Sequence, residues 1–361
     1  MAKKSLASLE LAAIINELQF LKNAKISQIY HPDKKELMLQ LHARGQGKQL
    51  LKIIPGKLLC LTKEKETTLR PSGFCMQLRK YLNNAVVKDI YQQGSERIVI
   101  FEIEKEENYI LIIELFSKGN VVLTDEKYQI IGALEEQIWK DRSVKAKEKY
   151  VFPAAAIDWK KVSDKELAGI LKKSEKRNLA TSLATELGLG GLYAEEICKI
   201  NDLDFTKLPA DATEKEVKLL TKTIKDLLKK IETPAGYVYE QEVTPFPLTG
   251  MEPRAKTKTY NEAADTIQPL EKSSPYEKKI AALNRTLTDQ QESITSLEQK
   301  IEVNKRKGEL IYEQYAPLQK LREIVQELRK SKEWSEVAKE LAKEKKIRDV
   351  DLKRKIVTID L

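Results

Sequence analysis

Cysteine and histidine are nearly absent, with three of one and two of the other in 361 residues. Cys60, Cys75 and Cys198 lie far apart and form no CxxC pair. That excludes a disulfide framework and points to a reducing, cytoplasmic setting. Each is most simply a small buried apolar residue. His31 and His42 are too few for a histidine-rich metal site, and without a GxSxG motif a histidine-dependent triad has no support. No metal or other cofactor is expected. Long apolar runs are also missing: none approaches the roughly 18–20 residues that span a bilayer. The opening Met-Ala-Lys-Lys-Ser lacks the apolar core of a signal peptide. A soluble, non-exported protein with no membrane partner is expected.

Charge is what the chain has in quantity. Charged residues make up 33% of it, hydrophobic residues 41%, and the net charge is +9. Such a balance favours polyanionic partners. Part of it is the solvated surface of Lys/Glu-rich helices, because 55 acids nearly match 64 bases.

The first 155 residues read as an α+β domain, mostly antiparallel. Leu11, Ile14, Ile15, Leu18 and Leu21 fall at helical spacing within residues 7–22, with Ser8 as the expected N-cap. Short runs of strand character follow at 25–30, 36–41, 49–54 and 57–62, separated by Pro and Gly turn signals. Pro71-Ser72 predicts a helix over about 73–83, with Phe74 and Met76 in the core. Further strands are expected at 86–92, 97–104, 110–113, 120–125 and 128–134. Gly119-Asn120 turns the hairpin between two of these, since both residues tolerate positive φ.

Residues 156–232 read as helical. Within them Leu187-Gly188-Leu189-Gly190-Gly191-Leu192-Tyr193-Ala194-Glu195-Glu196-Ile197 has the pattern of a helix-hairpin-helix. Gly188, Gly190 and Gly191 let the backbone turn tightly and approach a phosphate at a helix N-terminus. A plain glycine-rich connector fits this motif equally well, because the hairpin holds no basic residue. A connector over 233–273 is expected to close back on the first domain through strands at 237–242 and 244–248. From Pro275 to residue 316 the apolar residues Ile280, Leu283, Leu287, Ile294, Leu297, Ile301 and Ile311 form heptads, with Gln290, Asn304 and Gly308 in the remaining core slots. A single narrow seam of this kind needs a partner helix, and self-association through it is expected. Pro317 is expected to end that helix. A small middle region over 317–361 follows, with Trp334 as an anchor and a closing β-hairpin from Ile347 to Leu361.

Several of these segments resemble one family. Glu114-Leu115-Phe116-Ser117-Lys118-Gly119-Asn120-Val121-Val122-Leu123-Thr124-Asp125 is similar to the "ELFxxGNxxLxD" segment of the NFACT proteins, the RqcH/NEMF or fibronectin-binding-protein-like family. Residues 71–82 resemble its "PsxFxMxLRKxL", and Asp141 to Tyr150 resembles the basic stretch that closes its N-terminal domain. Ser8-Leu9-Glu10 and Glu96-Arg97 match its Ser-x-Asp and Asp-Arg positions, with glutamate at both family aspartates. The style is closer to archaeal members, and the family's RNA-binding domain after the coiled coil is not seen, as in a truncated form.

The resemblance implies an N-terminal domain like that of formamidopyrimidine-DNA glycosylases, without glycosylase chemistry, since Met1-Ala2 replaces their N-terminal proline. It implies a ribosome-associated quality-control factor. Such a factor binds the large subunit (its rRNA and proteins) carrying stalled peptidyl-tRNA, and positions tRNA for non-templated, alanine-type tailing. No enzyme activity of its own is implied. Glu10, Glu96 and Arg97, with Arg79 and Lys80, are the implied tRNA contacts. Lys118, Arg142, Lys145 and Lys147 are candidate RNA-backbone contacts, against a solvated-face role for each. A general RNA-binding module without tailing, and a fibronectin-binding adhesin, stand as alternative readings.

Overall fold

A computed structural model of the chain describes residues 3–65, 71–138, 142–153, 157–267, 275–341, 347–351 and 356–359, without the side chains of 275–282, 284, 285 and 349. Contacts divide it into two units, residues 1–271 and 272–361.

The first unit is built on a nine-stranded sheet. Its strands are β1 (Lys25–Asp33), β2 (Glu36–Ala43), β3 (Gly47–Ile54), β4 (Leu58–Thr62), β5 (Val86–Gln92), β6 (Ile98–Glu104), β7 (Asn108–Glu114), β8 (Asn120–Asp125) and β9 (Ile130–Ala133). They run in the order β4-β3-β2-β1-β5-β6-β7-β8-β9, and every pairing is antiparallel. Strands β6 to β8 carry consecutive apolar residues at 98–101, 109–113 and 121–123, because there they are covered on both faces. Val99, Phe101 and Leu111 point into the main core, while Ile98, Ile100, Ile112 and Val122 enter a second cluster closed by Val144 and Tyr150. Asp125 turns the chain into β9, accepting from the Lys127 and Gln129 N–H groups. Tyr128, expected in that strand, takes φ +62° in the turn instead.

Helix α1 (Ser8–Glu17) continues as a 3-10 turn over Leu18–Leu21. Its N-cap is Ala7 and not Ser8. Ser8 is the first helical residue, and its hydroxyl is used elsewhere: it donates to the Ser95 carbonyl and accepts from Trp159 Nε1 at 2.9 Å. Helix α2 (Gly73–Leu82) is capped by Ser72 Oγ, which accepts from Cys75 N–H at 3.1 Å. It packs on β1 through Cys75, Leu78 and Leu82, all buried. Met76, expected in the core, is 52% exposed on its outer side, while Phe74 is half-buried. A two-stranded ribbon of β10 (Gln137–Ile138) and β11 (Ser143–Val144) follows the sheet. Trp139 and Asp141 lie outside the described residues.

Next come α3 (Asp164–Lys173), α4 (Leu179–Thr185), α5 (Gly191–Ile200) and α6 (Glu214–Lys230). Thr213 and Glu216 cap α6 reciprocally, and Glu216 also takes both 2.7 Å hydrogen bonds of Lys207. Lys207 first, and then the Thr213 N–H, hold the Glu216 carboxyl down to about 2 from an ordinary 4.5. The folded chain therefore releases this proton more readily than the unfolded one. The carboxylate stabilises the fold fully above pH 4.5, and that contribution is lost as pH falls toward about 2. In Glu216→Gln the fall in unfolding free energy across this window is expected to be shallower. An acid limb identical to the parent's in urea titrations would contradict this.

The chain then returns to the sheet. Strands β12 (Gly236–Val238), β13 (Val243–Thr244) and β14 (Ala255–Thr257) form a small sheet, and α7 (Tyr260–Ala264) packs on α1 and β4. The two expected strands are shorter than their sequence runs, and β14 and α7 are additional. The Glu17 carboxylate accepts from the Tyr260 and Asn261 N–H groups at 2.6 and 2.8 Å, capping α7 from another helix. Its burial is what raises the Glu17 pKa, against these hydrogen bonds. One hydrophobic core runs from Leu6 to Ile267 and includes α3 to α6. The stretches 1–155, 156–232 and 233–267 therefore share one interior.

The second unit holds α8 (Pro275–Glu313), α9 (Tyr315–Ser331), α10 (Trp334–Leu341) and a hairpin of β15 (Ile347–Asp351) and β16 (Ile356–Ile359). Leu283, Leu287, Ile294, Leu297, Ile301 and Ile311 on α8 are each more than half exposed. The Ile280 side chain lies outside the described residues, as do Leu352, Lys355 and Leu361 of the expected hairpin. The break falls at Gln314, and Pro317 sits in the first turn of α9, where its missing N–H costs little. The Arg329 guanidinium stacks 5.7 Å over Trp334, and Val337 and Leu341 are buried.

Candidate functional site

The residues before α1 form the hub of the first unit. Glu10, in the first turn of α1, is fully buried. Its Oε2 accepts from the Ala7 N–H at 2.8 Å, which is the reciprocal half of a capping box. Its Oε1 accepts from Tyr193 Oη at 2.5 Å and is ion-paired with Lys3 Nζ. The Lys3 ammonium also donates to Glu242 Oε2 at 3.1 Å and to the Val243 carbonyl at 2.9 Å. One carboxylate thus ties together the amino-terminal segment, α5 and the returning small sheet. Burial, and then the Glu10 charge, push the Tyr193 hydroxyl well above its ordinary pKa.

Beside this hub lies the Glu96–Arg97 turn. Arg97 Nη1 donates to the Leu6 carbonyl at 3.3 Å. Burial lowers its guanidinium pKa, with Glu96 and then Glu10 acting against that shift. Gln92 Nε2 holds the turn through the Glu96 carbonyl at 2.9 Å and the Ser8 carbonyl at 3.2 Å, and its Oε1 accepts from Lys160 Nζ at 2.8 Å. Burial brings the Lys160 ammonium down to about 8, with Asp158 opposing.

The α4–α5 connector closes the third side. Gly188 has φ +71°, and Gly190 caps α5 at φ +84°. A side chain at Gly190 would come to 3.8 Å from the Ala7 methyl. A cleft of about 310 Å³ opens here, lined by Lys3, Lys4, Ser5, Ala7, Glu10, Gly190, Gly191, Leu192, Tyr193 and Glu242. The first N–H groups of α5 have no acceptor within the helix, and Lys4 is exposed at the rim. Donors and an ammonium ahead of a partly neutralised acid pair suit an anionic group such as a phosphate.

Glu10, Glu96, Arg97, Gly190 and Gly191 are therefore gathered around one segment. Glu10 is fully buried there, with both oxygens engaged inside the protein. The other candidates lie elsewhere. Arg79 Nε donates to the Ile29 carbonyl at 2.8 Å, which ties α2 to β1, and Lys80 is exposed beside Tyr81. Lys118 is exposed at the β7–β8 hairpin tip. Lys145 is half-buried, and Lys147 is exposed at φ +71° with its N–H on the Ile130 carbonyl. Arg142 is engaged within the protein. It is half-buried, ion-paired with Glu114, and stacked 4.8 Å over Tyr150, whose hydroxyl donates to the same Glu114 oxygen at 2.7 Å. Lys3, Gln92, Trp159 and Tyr193 were missed as site residues. Tyr193 alone had a signal, standing within the glycine-rich motif. Among the described residues no group of three or more His, Cys, Asp or Glu is placed to hold a metal. No described helix is long and apolar enough to cross a membrane.

A wide antiparallel sheet sharing its core with a helical layer is an architecture found in solved structures. The N-terminal region of the fibronectin/fibrinogen-binding protein of Streptococcus suis aligns with 72% of this chain and 98% of its own, at TM-score 0.59 and 21% identity. The fibrinogen-binding protein of Staphylococcus aureus aligns with 73% and 99%, at TM-score 0.62 and 18% identity. Sequence carries the assignment further: residues 8–269 match the model of the NFACT N-terminal and middle domains, and the chain belongs to that family. It is 28% identical to the archaeal Rqc2 homolog aRqcH of Methanocaldococcus jannaschii, over 93% of this chain and 54% of that protein. It is 27% identical to the human ribosome quality control complex subunit NEMF, over 65% of this chain and 22% of that one. The chain thus spans about half the length of the archaeal relative and less of the human one.

Proposed function

We propose that this chain acts as a ribosome-associated quality-control factor. It binds the large ribosomal subunit carrying stalled peptidyl-tRNA and positions tRNA for non-templated tailing of the nascent chain. The observation that carries the reading is a cleft lined by Glu10, Gly190 and Gly191, with Arg97 beside it on the carbonyl of Leu6, in the same segment before α1. Relatives named as a ribosome quality control complex subunit and as an Rqc2 homolog support it. On this reading Arg97 and the α5 N-terminus take phosphates of the tRNA, and Glu10 holds them in register. The peptide bond is formed by the ribosome's own peptidyl-transferase centre, and this chain acts by binding alone.

The test is co-sedimentation with purified large subunits, with and without bound peptidyl-tRNA. Selective pelleting with the loaded subunits is expected. Arg97→Ala is expected to weaken it roughly tenfold, in line with the loss of one charged hydrogen bond, and Arg97→Lys less. Thermal melts of both variants separate loss of binding from loss of fold. Equal pelleting with both kinds of subunit, unaffected by Arg97→Ala, would leave only a general RNA-binding module.

A further inference from the structure

Helix α6 carries a row of positive charge that neither the cleft nor the core uses. Its inner side is buried through Val217, Leu220, Ile224 and Leu227. On its outer side Lys215, Lys218, Lys222, Lys225 and Lys229 are all exposed. They recur at intervals of three and four residues, which keeps side chains on one line of a helix. At a rise of about 1.5 Å per residue the row extends about 21 Å, with one ammonium every ~5 Å.

Most of this row makes no ion pair within the fold. Lys229 lies 3.7 Å from Asp226, while no ion pair or side-chain hydrogen bond engages the other four among the described residues. Of the other two acids on α6, Glu214 and Glu216, the second is taken by Lys207. Like charges at three- and four-residue spacing repel, and Lys215 in the first turn opposes the helix dipole. An ordinary solubilising face alternates its signs.

We propose that this face of α6 is a docking surface for the sugar–phosphate backbone of RNA, read without regard to sequence. A straight, evenly spaced row of cations fits a repeating anion. A membrane surface would require a stripe of exposed apolar side chains beside the lysines, and outside the core α6 offers only the half-buried Leu219 and Leu228. The α4–α5 connector has no basic residue of its own, and α6 packs against α5. The row therefore supplies the helical layer with the charge its hairpin lacks. It goes beyond the cleft reading and is independent of it, since it engages RNA whether or not tRNA is selected at Arg97.

The test uses the full chain with Lys215, Lys218, Lys222 and Lys225 replaced together by glutamine, and a second variant with arginine at the same four positions. Binding to a fluorescent RNA duplex of arbitrary sequence is followed by anisotropy across a salt series. The slope of log affinity against log salt is expected to fall in magnitude by about three to four in the glutamine variant, near one for each phosphate no longer neutralised, and to persist in the arginine variant. Melting temperatures stay within a few degrees of the parent, because all four side chains are exposed. An unchanged slope in the glutamine variant overturns the proposal. So does lysine-dependent flotation with phosphatidylserine vesicles that matches RNA binding in strength, or equal binding to polyglutamate. Loss of RNA binding by the glutamine variant with Arg97-dependent subunit selectivity intact supports it. Loss of that selectivity in Arg97→Ala, with the salt slope kept, supports the independence of row and cleft.

Discussion

Glu10→Ala is expected to be the most damaging single change at the cleft. Removing one partner of a buried ion pair costs about 3–5 kcal/mol, because the other charge stays behind unpaired. Here the Lys3 ammonium keeps Glu242 and the Val243 carbonyl, which places the cost near the lower end of that range. Tyr193 loses the acceptor for a hydroxyl that has no exposure to water. A fall in melting temperature of about 6–12 °C follows for a unit of this size. Glu10→Gln keeps the side-chain volume and an acceptor for Tyr193, and is expected to lose less than half as much. Scanning calorimetry of the three chains decides the matter. If Glu10→Ala melts within about 2 °C of the parent, its carboxylate does not hold the hub together. If Glu10→Gln melts like the parent yet loses subunit selectivity, the carboxylate acts on RNA directly.

Gly119→Ala is expected to damage the sheet almost as much. Gly119 sits at φ +69°, where an alanine costs about 1–2 kcal/mol before any neighbour is considered. The larger effect is the overlap. A Cβ there would run into the backbone of Pro55 and Gly56 in the β3–β4 turn. The reverse substitution meets the same wall, since a Cβ on Gly56 would lie 2.8 Å from the Ser117 carbonyl oxygen. Backbone cannot swing aside as a side chain does, so one of the two turns must shift. Overpacking of this kind typically adds another 1–3 kcal/mol, giving a total of about 2–5 kcal/mol. Lys118→Ala, one residue away and exposed, is the control, expected within about 0.5 kcal/mol of the parent. Equal urea midpoints for Gly119→Ala and Lys118→Ala would show that the two turns do not need their close approach.

The sheet was legible because its signals are local. Gly119-Asn120 between apolar runs specifies a hairpin within a dozen residues, and Pro71-Ser72 announces α2. The heptads of α8 are equally local, since the period is visible without knowing what covers it. What local signals do not reveal is a side chain's remote partners. Arg142 looks like one more member of a basic run until the fold brings Glu114 to it from the end of β7. Ser8 has the composition of an N-cap, but Ser95 and Trp159 claim its hydroxyl. Met76 belongs to an apolar pattern, yet α2 needs only Cys75, Leu78 and Leu82 against β1. At the cleft Glu10 and Arg97 were reached through family resemblance. Tyr193 stands 183 residues beyond Glu10, and no periodicity links two positions that far apart.

The cap that Glu17 places on α7 has a consequence for synthesis. Its partners, Tyr260 and Asn261, lie 243 and 244 residues downstream. Lys52 waits 213 residues for Asp265, and Lys3 waits 239 for Glu242. At about 5–20 residues per second, α1 emerges from the ribosome at least ten seconds before the elements that cover it. High contact order makes closure of this unit a late, slow event. A nascent chain halted anywhere before α7 holds the apolar flank of α1 open to solvent, in reach of chaperones and proteases, until translation resumes.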